Sequence, residues 1–311
     1  MNHHRVAFDL ETPVVYVDVG AREGIAPPFS YFADDKLKVV GFEPDPVEAE
    51  NLKRRFPNRE YYPFAVWSER ARRKIYLNKD AATSSLFPPN TEYNSNYEDY
   101  HWKNRFVVRE VEVQCESLDG MLKEAPDFIK LDTQGAEYEI IQGARRILQE
   151  GAPIVVAETW LRPVYIGQKT ADKVIELMAS MGYSVFDSEV AAAWRHRTSS
   201  KASTGCKQKL IGWELLFVKD AEKILEAKLS EDRFTKLCAL LELYGFRDYA
   251  LFLIEKSAFD SAYKSKLTSK FEINHTWEQK FDRDFMNNRL FRKIKKTLGF
   301  PPPVLYPKLH Y

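Results

Sequence analysis

Residues 14–24, VVYVDVGAREG, and residues 39–46, VVGFEPDP, constrain the fold of this chain more than any other stretch. The first is an apolar strand that ends in Asp18 and enters a small-residue turn expected to open a helix. The second is another apolar strand, ending in Glu43. A parallel α/β sheet builds a site for an adenosyl ligand in this way. Gly20 and Gly24 carry no Cβ, so the backbone there can approach a ligand, with Ala21 between them. Glu43 offers two acceptor oxygens to a ribose diol, and Pro44 shapes the edge beside it. A helix starting after Gly24 would turn its N–H groups toward a carboxylate.

A dinucleotide fingerprint needs three glycines and room for a pyrophosphate. Here bulky Arg22 and Glu23 stand between Ala21 and Gly24. Asp18 adds a negative charge that suits the ammonium of a methionine moiety and repels a pyrophosphate. S-adenosylmethionine is therefore the expected ligand and NAD the weaker alternative. A turn that only joins a strand to a helix is the plain structural reading.

A third element reads FIKLDTQGAEYEIIQGA at 128–144, a strand ending in Asp132, a tight turn and a helix bearing Glu137 and Glu139. Together, DVGAREG, GFEPDP, the ATSSL stretch at 82–86, ESLDGML at 116–122 and KLDTQGAE resemble the FkbM-type methyltransferases over roughly residues 12–220. The resemblance implies a class I, Rossmann-like fold with a seven-stranded, mostly parallel sheet and an antiparallel terminal hairpin. It also implies S-adenosylmethionine as donor and O-methyl transfer, often to a sugar hydroxyl. Ser84 and Ser85 match the family's small-residue element and are candidate acceptor contacts.

The order of patterns supports that fold. Strands are expected at 14–19, 38–42, 61–66, 128–132, 153–158, 182–187 and 212–219, with helices at 46–55, 135–149 and 169–181. Such alternation gives a parallel sheet with helices on both faces. An insert at about 68–115 holds two further strands, 73–78 and 107–114, around a segment rich in aromatics and asparagines. Phe87, Tyr93, Tyr97, Tyr100, Trp102 and Phe106 could stack on a sugar, with Trp102 the candidate contact, or could pack together as a lid. After Lys219 the pattern becomes helical, so a methyltransferase domain is expected over 1–220 and a helical appendage over 221–311.

Ligands in open α/β sheets bind at the carboxyl ends of the strands. Asp18, Glu43, Asp132 and Glu158 all fall there, and Ala65 and Val66 are expected beside the adenine. Asp132 and then Glu158 are the candidate bases for an acceptor hydroxyl. Asp132 could equally touch the cofactor or cap a helix, or the two carboxylates could hold a divalent cation such as Mg²⁺. His101 and His196, one in each of two loops, are weaker candidates. The loop WRHRTSSKASTGCKQK at 194–209 has five basic residues and no acid. Arg195 and Arg197 could there attract an anionic sugar acceptor.

Composition narrows the remaining classes. A net charge of +1 gives no global attraction to nucleic acid, and none is expected as a partner. Cys115, Cys206 and Cys238 lack metal or disulfide spacing, which fits free thiols in a reducing cytoplasm. The N-terminus lacks the apolar core of a signal peptide, and no run reaches the ~18–20 apolar residues of a membrane span. The basic amphipathic stretch RLFRKIKKTLGF at 289–300 could lie on an anionic membrane, dock on a partner protein or pack on the preceding helices. A scaffold that keeps the fold without turnover is the remaining alternative to an enzyme.

Overall fold

A computed structural model describes residues 10–22, 24–25, 28–31, 34–151, 153–199 and 207–271. The chain divides into two compact units, one spanning Pro13–Ala227 and the other formed by Lys228 onward with the segment ending at Thr12. The boundary expected near 220 thus lies seven residues later. The reason is local: the Asp220 amide donates to Gly182 O (2.8 Å), and Ile224 of the helix Ala221–Glu226 is buried.

Among the described residues the first unit contains ten strands: β1 (Val14–Val19), β2 (Leu37–Phe42), β3 (Glu60–Tyr62), β4 (Ala65–Val66), β5 (Ala71–Asn78), β6 (Val107–Glu116), β7 (Phe128–Leu131), β8 (Ile154–Trp160), β9 (Tyr183–Trp194) and β10 (Lys209–Lys219). Seven form one sheet in the order β3-β2-β1-β7-β8-β10-β9. All neighbours are parallel except β10, which is antiparallel to both β8 and β9. This order, with its reversed strand next to the far edge, is the class I methyltransferase sheet.

Alternation along the strands separates the two faces of the sheet. Val17, Val19, Ile129, Leu131, Val155, Ala157, Leu215 and Phe217 enter one core with Ile140, Ile147, Val174 and Met178 of the covering helices. The helix Pro46–Arg55 starts at Pro46 behind an Asp45 cap, whose side chain accepts from Val47 N. Its Leu52 packs with Ala21 and Tyr61 in a separate small core.

Four expectations change. The apolar run 61–66 is not one strand: β3 stays in the main sheet, and β4 pairs with Cys115 and Glu116 of β6 in a second sheet of order β4-β6-β5. Ala65 and Val66 are buried in the main core and take no place at the end of a main-sheet strand. The helix expected at 135–149 is two, Glu137–Gln142 and Arg145–Glu150. At the break, a Cβ on Gly143 would strike Trp67 O and lie 2.8 Å from Ser68 Cα. Between β1 and β2 the described residues contain two 3-10 turns, Phe29–Tyr31 and Asp34–Lys36, and no α-helix. Pro28, preceded in the sequence by Pro27, lacks the N–H that a continuing helix needs. Finally, β9 and β10 are longer than expected and carry the sheet past the ends of the central strands.

The second unit holds the helices Glu231–Leu243 and Arg247–Lys256, with Leu237, Leu240, Leu241, Leu253 and Ile254 buried. Gly245, the expected helix stop, adopts φ +85°. The stretch 289–300 lies outside the described residues. Among the described residues, no helix is long and apolar enough to cross a membrane.

One buried cation ties helix to sheet. Lys219, at the end of β10, donates to Leu148 O (2.9 Å), Gln149 O (2.8 Å) and Gly151 O (2.6 Å), the open carbonyls of the helix Arg145–Glu150. Replacing Lys219 with Met leaves three carbonyls without their donor. The expected loss is about 3 kcal/mol, read as a lower urea midpoint; an unmoved midpoint would contradict this role.

Candidate active site

Register across the sheet builds the site. Asp18 of β1 stands beside Lys130 of β7, and Leu131 beside Ala157 of β8. One residue further on, Asp132 comes level with Glu158. Glu158 faces Glu214 of β10, which in turn faces Glu189 of β9. Register partners share a face. A row of carboxylates therefore crosses the carboxyl edge of the sheet, on the face opposite the main core.

Its centre is the turn after β7. Gln134 is buried and holds φ 58°, the left-handed region that a non-glycine residue rarely occupies. Its side-chain amide donates to Glu158 Oε2 and to Asp132 Oδ1, the latter at 3.3 Å. The Tyr165 hydroxyl lies 2.8 Å from Gln134 Oε1 and also 2.8 Å from Thr83 O. That hydroxyl accepts from Arg105 Nε (3.1 Å), and the Arg105 guanidinium sits 5.3 Å from the Trp160 ring centroid. Ser85 Oγ donates to Gln134 O at 2.8 Å. Glu137 Oε1 accepts from Thr133 N (2.9 Å), Thr133 Oγ1 (2.8 Å) and Gly135 N (3.2 Å). Glu137 thus closes the turn.

Charge is unevenly shared along the row. Burial pushes Glu158 well above the usual carboxylate range, and Asp132 and Glu137 push it the same way. Burial likewise raises Glu214 to about 8 and Asp18 to about 6. The Lys130 Nζ lies 3.4 Å from Asp132 Oδ2. Burial works against the Lys130 charge, but Asp132, Asp18 and Glu214 together outweigh it and raise the group. The ammonium therefore pairs with Asp132, while burial and the neighbouring carboxylates favour the protonated form of Glu158.

The expected cofactor residues separate into two kinds. Asp18 is 1% exposed, and its Oδ1 has no hydrogen-bond partner among the described residues. A buried acceptor of this kind fits the ammonium of a methionine moiety. Glu43 follows β2, and its Oε1 accepts from Asp45 N (2.9 Å) and lies 3.6 Å from Arg22 Nη2. Burial raises Glu43 to about 7, against the pull of Arg22. Gly20 and Gly24, both at φ +87°, are explained without a ligand: a Cβ on Gly20 would strike Asp132 O, and one on Gly24 would lie 2.9 Å from the Phe56 ring. No helix N-terminus follows Gly24 among the described residues. Pro44 lies between Glu43 and the Asp45 cap.

The expected acceptor residues are mostly structural. Ser84 Oγ accepts from Asn78 N (3.1 Å), and Ser85 is committed to the Gln134 turn. Trp102 is buried with Tyr97, Trp160, Tyr165 and Trp194, and its Nε1 donates to Tyr97 O (3.2 Å). Arg197 pairs with Asp99 from the first insert, so the acid-free loop does not stand apart from acids. The Arg195 backbone N–H donates to His101 Nε2 at 2.8 Å, and burial lowers His101. His196 stacks on Tyr97. Among the described residues, no group of three or more His, Cys, Asp or Glu is placed to hold a metal ion.

A family model described as the methyltransferase FkbM domain matches residues 18–185, more than half of the chain. The chain belongs to the FkbM methyltransferase family. That membership brings a class I fold and S-adenosylmethionine as methyl donor. No curated protein matches this chain. Among solved structures, it is similar to methyltransferase FkbM from Methylobacillus flagellatus KT (16% identity, TM-score 0.37), covering 65% of this chain and 43% of that one. It thus spans less than half the length of that protein. A TehB-like SAM-dependent methyltransferase from Corynebacterium glutamicum ATCC 13032 Kitasato shares 10% identity at TM-score 0.34, covering 67% of this chain and 82% of that one. The Burkholderia thailandensis 1,6-didemethyltoxoflavin-N1-methyltransferase, solved with S-adenosylhomocysteine, shares 12% identity at TM-score 0.33, covering 70% of this chain and 77% of that one.

Sequence reasoning missed Lys130, Gln134, Tyr165, Arg105 and Glu214. Two of these lie inside KLDTQGAE and one is an acid in the apolar strand GWELLFVK, so signals existed. Arg105 and Tyr165 carry none, because only the fold brings them together.

Burial gives the site a measurable pH dependence. It raises Glu137 from the model-peptide value of 4.5 to about 7. The folded state therefore binds this proton more tightly than the unfolded chain. The stability gained is full below about pH 4.5 and is lost as pH rises through about 7, by up to about 3 kcal/mol. Glu137→Gln should flatten the fall in urea midpoint between about pH 5 and 8. An equally steep fall in the variant would refute the assignment.

Proposed function

We propose that this chain is an S-adenosylmethionine-dependent O-methyltransferase that methylates a sugar hydroxyl in a glycan, a nucleotide-linked sugar or a glycosylated metabolite. The observation that carries this reading is the Asp132–Glu158 pair, bridged by one amide at the carboxyl edge of a family-matched sheet. When bound, S-adenosylmethionine supplies a methyl group already activated on a sulfonium. Asp18 would hold its ammonium and Glu43 its ribose diol.

The chain's own task is to position the acceptor and take its proton. Asp132, paired with Lys130, is the proton acceptor. Bound S-adenosylmethionine would supply the methyl group, and Asp132 would take the proton that the acceptor hydroxyl loses. Glu158, pushed toward its protonated form by burial, limits the negative charge beside Asp132. Arg197 is engaged by Asp99, so nothing in this reading requires an anionic acceptor; Arg195 remains the loop residue to test for one.

Incubation of glycan extracts with the protein and methyl-labelled S-adenosylmethionine should give labelled sugars in mass spectra. Asp132→Asn should lower turnover by about 10²–10⁴-fold while the affinity for S-adenosylhomocysteine changes by less than about twofold. Full activity in Asp132→Asn would end the base assignment. Label found on nitrogen or carbon would end the O-methyl assignment.

A further inference from the structure

Gln134 combines three features that the fold alone does not require. Its backbone sits at φ 58°, where glycine would be at ease, although the next residue is already Gly135 at φ 117°. Strain of this kind costs about 1–3 kcal/mol and persists only where surroundings impose it. Here Ser85 Oγ holds the Gln134 carbonyl and Glu137 closes the turn. Its single NH₂ group is spent on two carboxylates from two strands. Its Oε1 faces the Tyr165 hydroxyl, which can donate to it.

We propose that Gln134 is a positioning residue that bridges Asp132 and Glu158 and eases ionisation of the pair, while Lys130 directs the negative charge to Asp132 as base. This rests on the methyltransferase reading above. The amide donates to both carboxylates, but Lys130 favours negative charge on Asp132 alone. Two carboxylates this close cannot both be ionised without help. Gln134 supplies a neutral donor between them, which eases ionisation of one without adding a second cation. Tyr165, braced by Arg105, fixes the amide plane from the other side. The charged and titratable groups around the pair are Lys130, Asp18 and Glu214 on one side, and Glu137, Arg105 and Tyr165 on the other.

Gln134→Gly tests this without breaking the turn, since glycine accepts φ 58° freely. Gln134→Met keeps the side-chain volume and removes the donor. With the donor gone, the carboxylate is harder to form. In both variants of the full-length protein, the acid limb of kcat/KM should move up by about one pH unit. S-adenosylhomocysteine affinity at alkaline pH should stay within about twofold. A second readout needs no acceptor. Carbon-13 NMR of labelled Asp and Glu carboxyls should show the Asp132–Glu158 titration shifted upward by a similar amount. If NMR shifts but no acceptor is ever methylated, the positioning role stands and the reaction fails. If Gln134→Gly folds, binds S-adenosylhomocysteine and titrates as wild type does, the proposal is overturned.

Discussion

One amide shared between two carboxylates governs the layout of this protein's site. Asp132 and Glu158 project from neighbouring strands at the same level, where like charges repel in a partly buried setting. The Gln134 side chain bridges the two, and its turn is tied from three directions. Ser85 from the insert bonds the Gln134 carbonyl, Glu137 from the following helix bonds the flanking Thr133 and Gly135, and Tyr165 from the loop after β8 bonds the Gln134 side chain. The insert is thus more than an appended lid. Its small-residue element bonds the turn after β7, and Arg105 reaches that turn through Tyr165 while sitting over the rings of Trp160 on β8 and Trp194 on β9.

Burial gives the same region its chemical character. Asp18, Glu43, Glu137, Glu158 and Glu214 are all pushed toward the protonated form, mainly by desolvation. Lys130 is the counterweight, lying among three of the row's carboxylates and directly against Asp132. Groups with shifted titration cluster where chemistry is done, and here they follow one row and the rung beneath it. The interior of the opposite face is apolar. The sheet therefore separates a structural side from a chemical one.

Much of this was legible in the chain. Apolar runs ending in acids located β1, β2, β7 and β8, and KLDTQGAE indicated both the family and the strand that leads into Asp132. The failures have physical causes. Ala65 and Val66 look like a strand end, yet the choice between two sheets depends on β6, fifty residues downstream. Pro28 lacks the N–H that a helix after Gly24 would need, and the described residues before β2 form 3-10 turns instead. The glycines themselves answer to close packing with Asp132 and Phe56. Trp102 and Ser85 had the right chemistry for a sugar, and burial assigned them to the scaffold. Gln134 was visible in the motif, but its role depends on Glu158 and Tyr165, which only the fold delivers.

An adenosyl ligand at the carboxyl edge of β1 and β2 is the central requirement of this site. Calorimetric titration of S-adenosylhomocysteine into the wild type and Glu43→Gln, at about pH 8 where Glu43 is ionised, tests this most directly. Loss of a charge-assisted bond to the ribose should weaken binding by about ten- to a hundredfold, with little change in the unfolding midpoint of the free protein. Equal affinity in the two proteins, or no binding to the wild type, would contradict it.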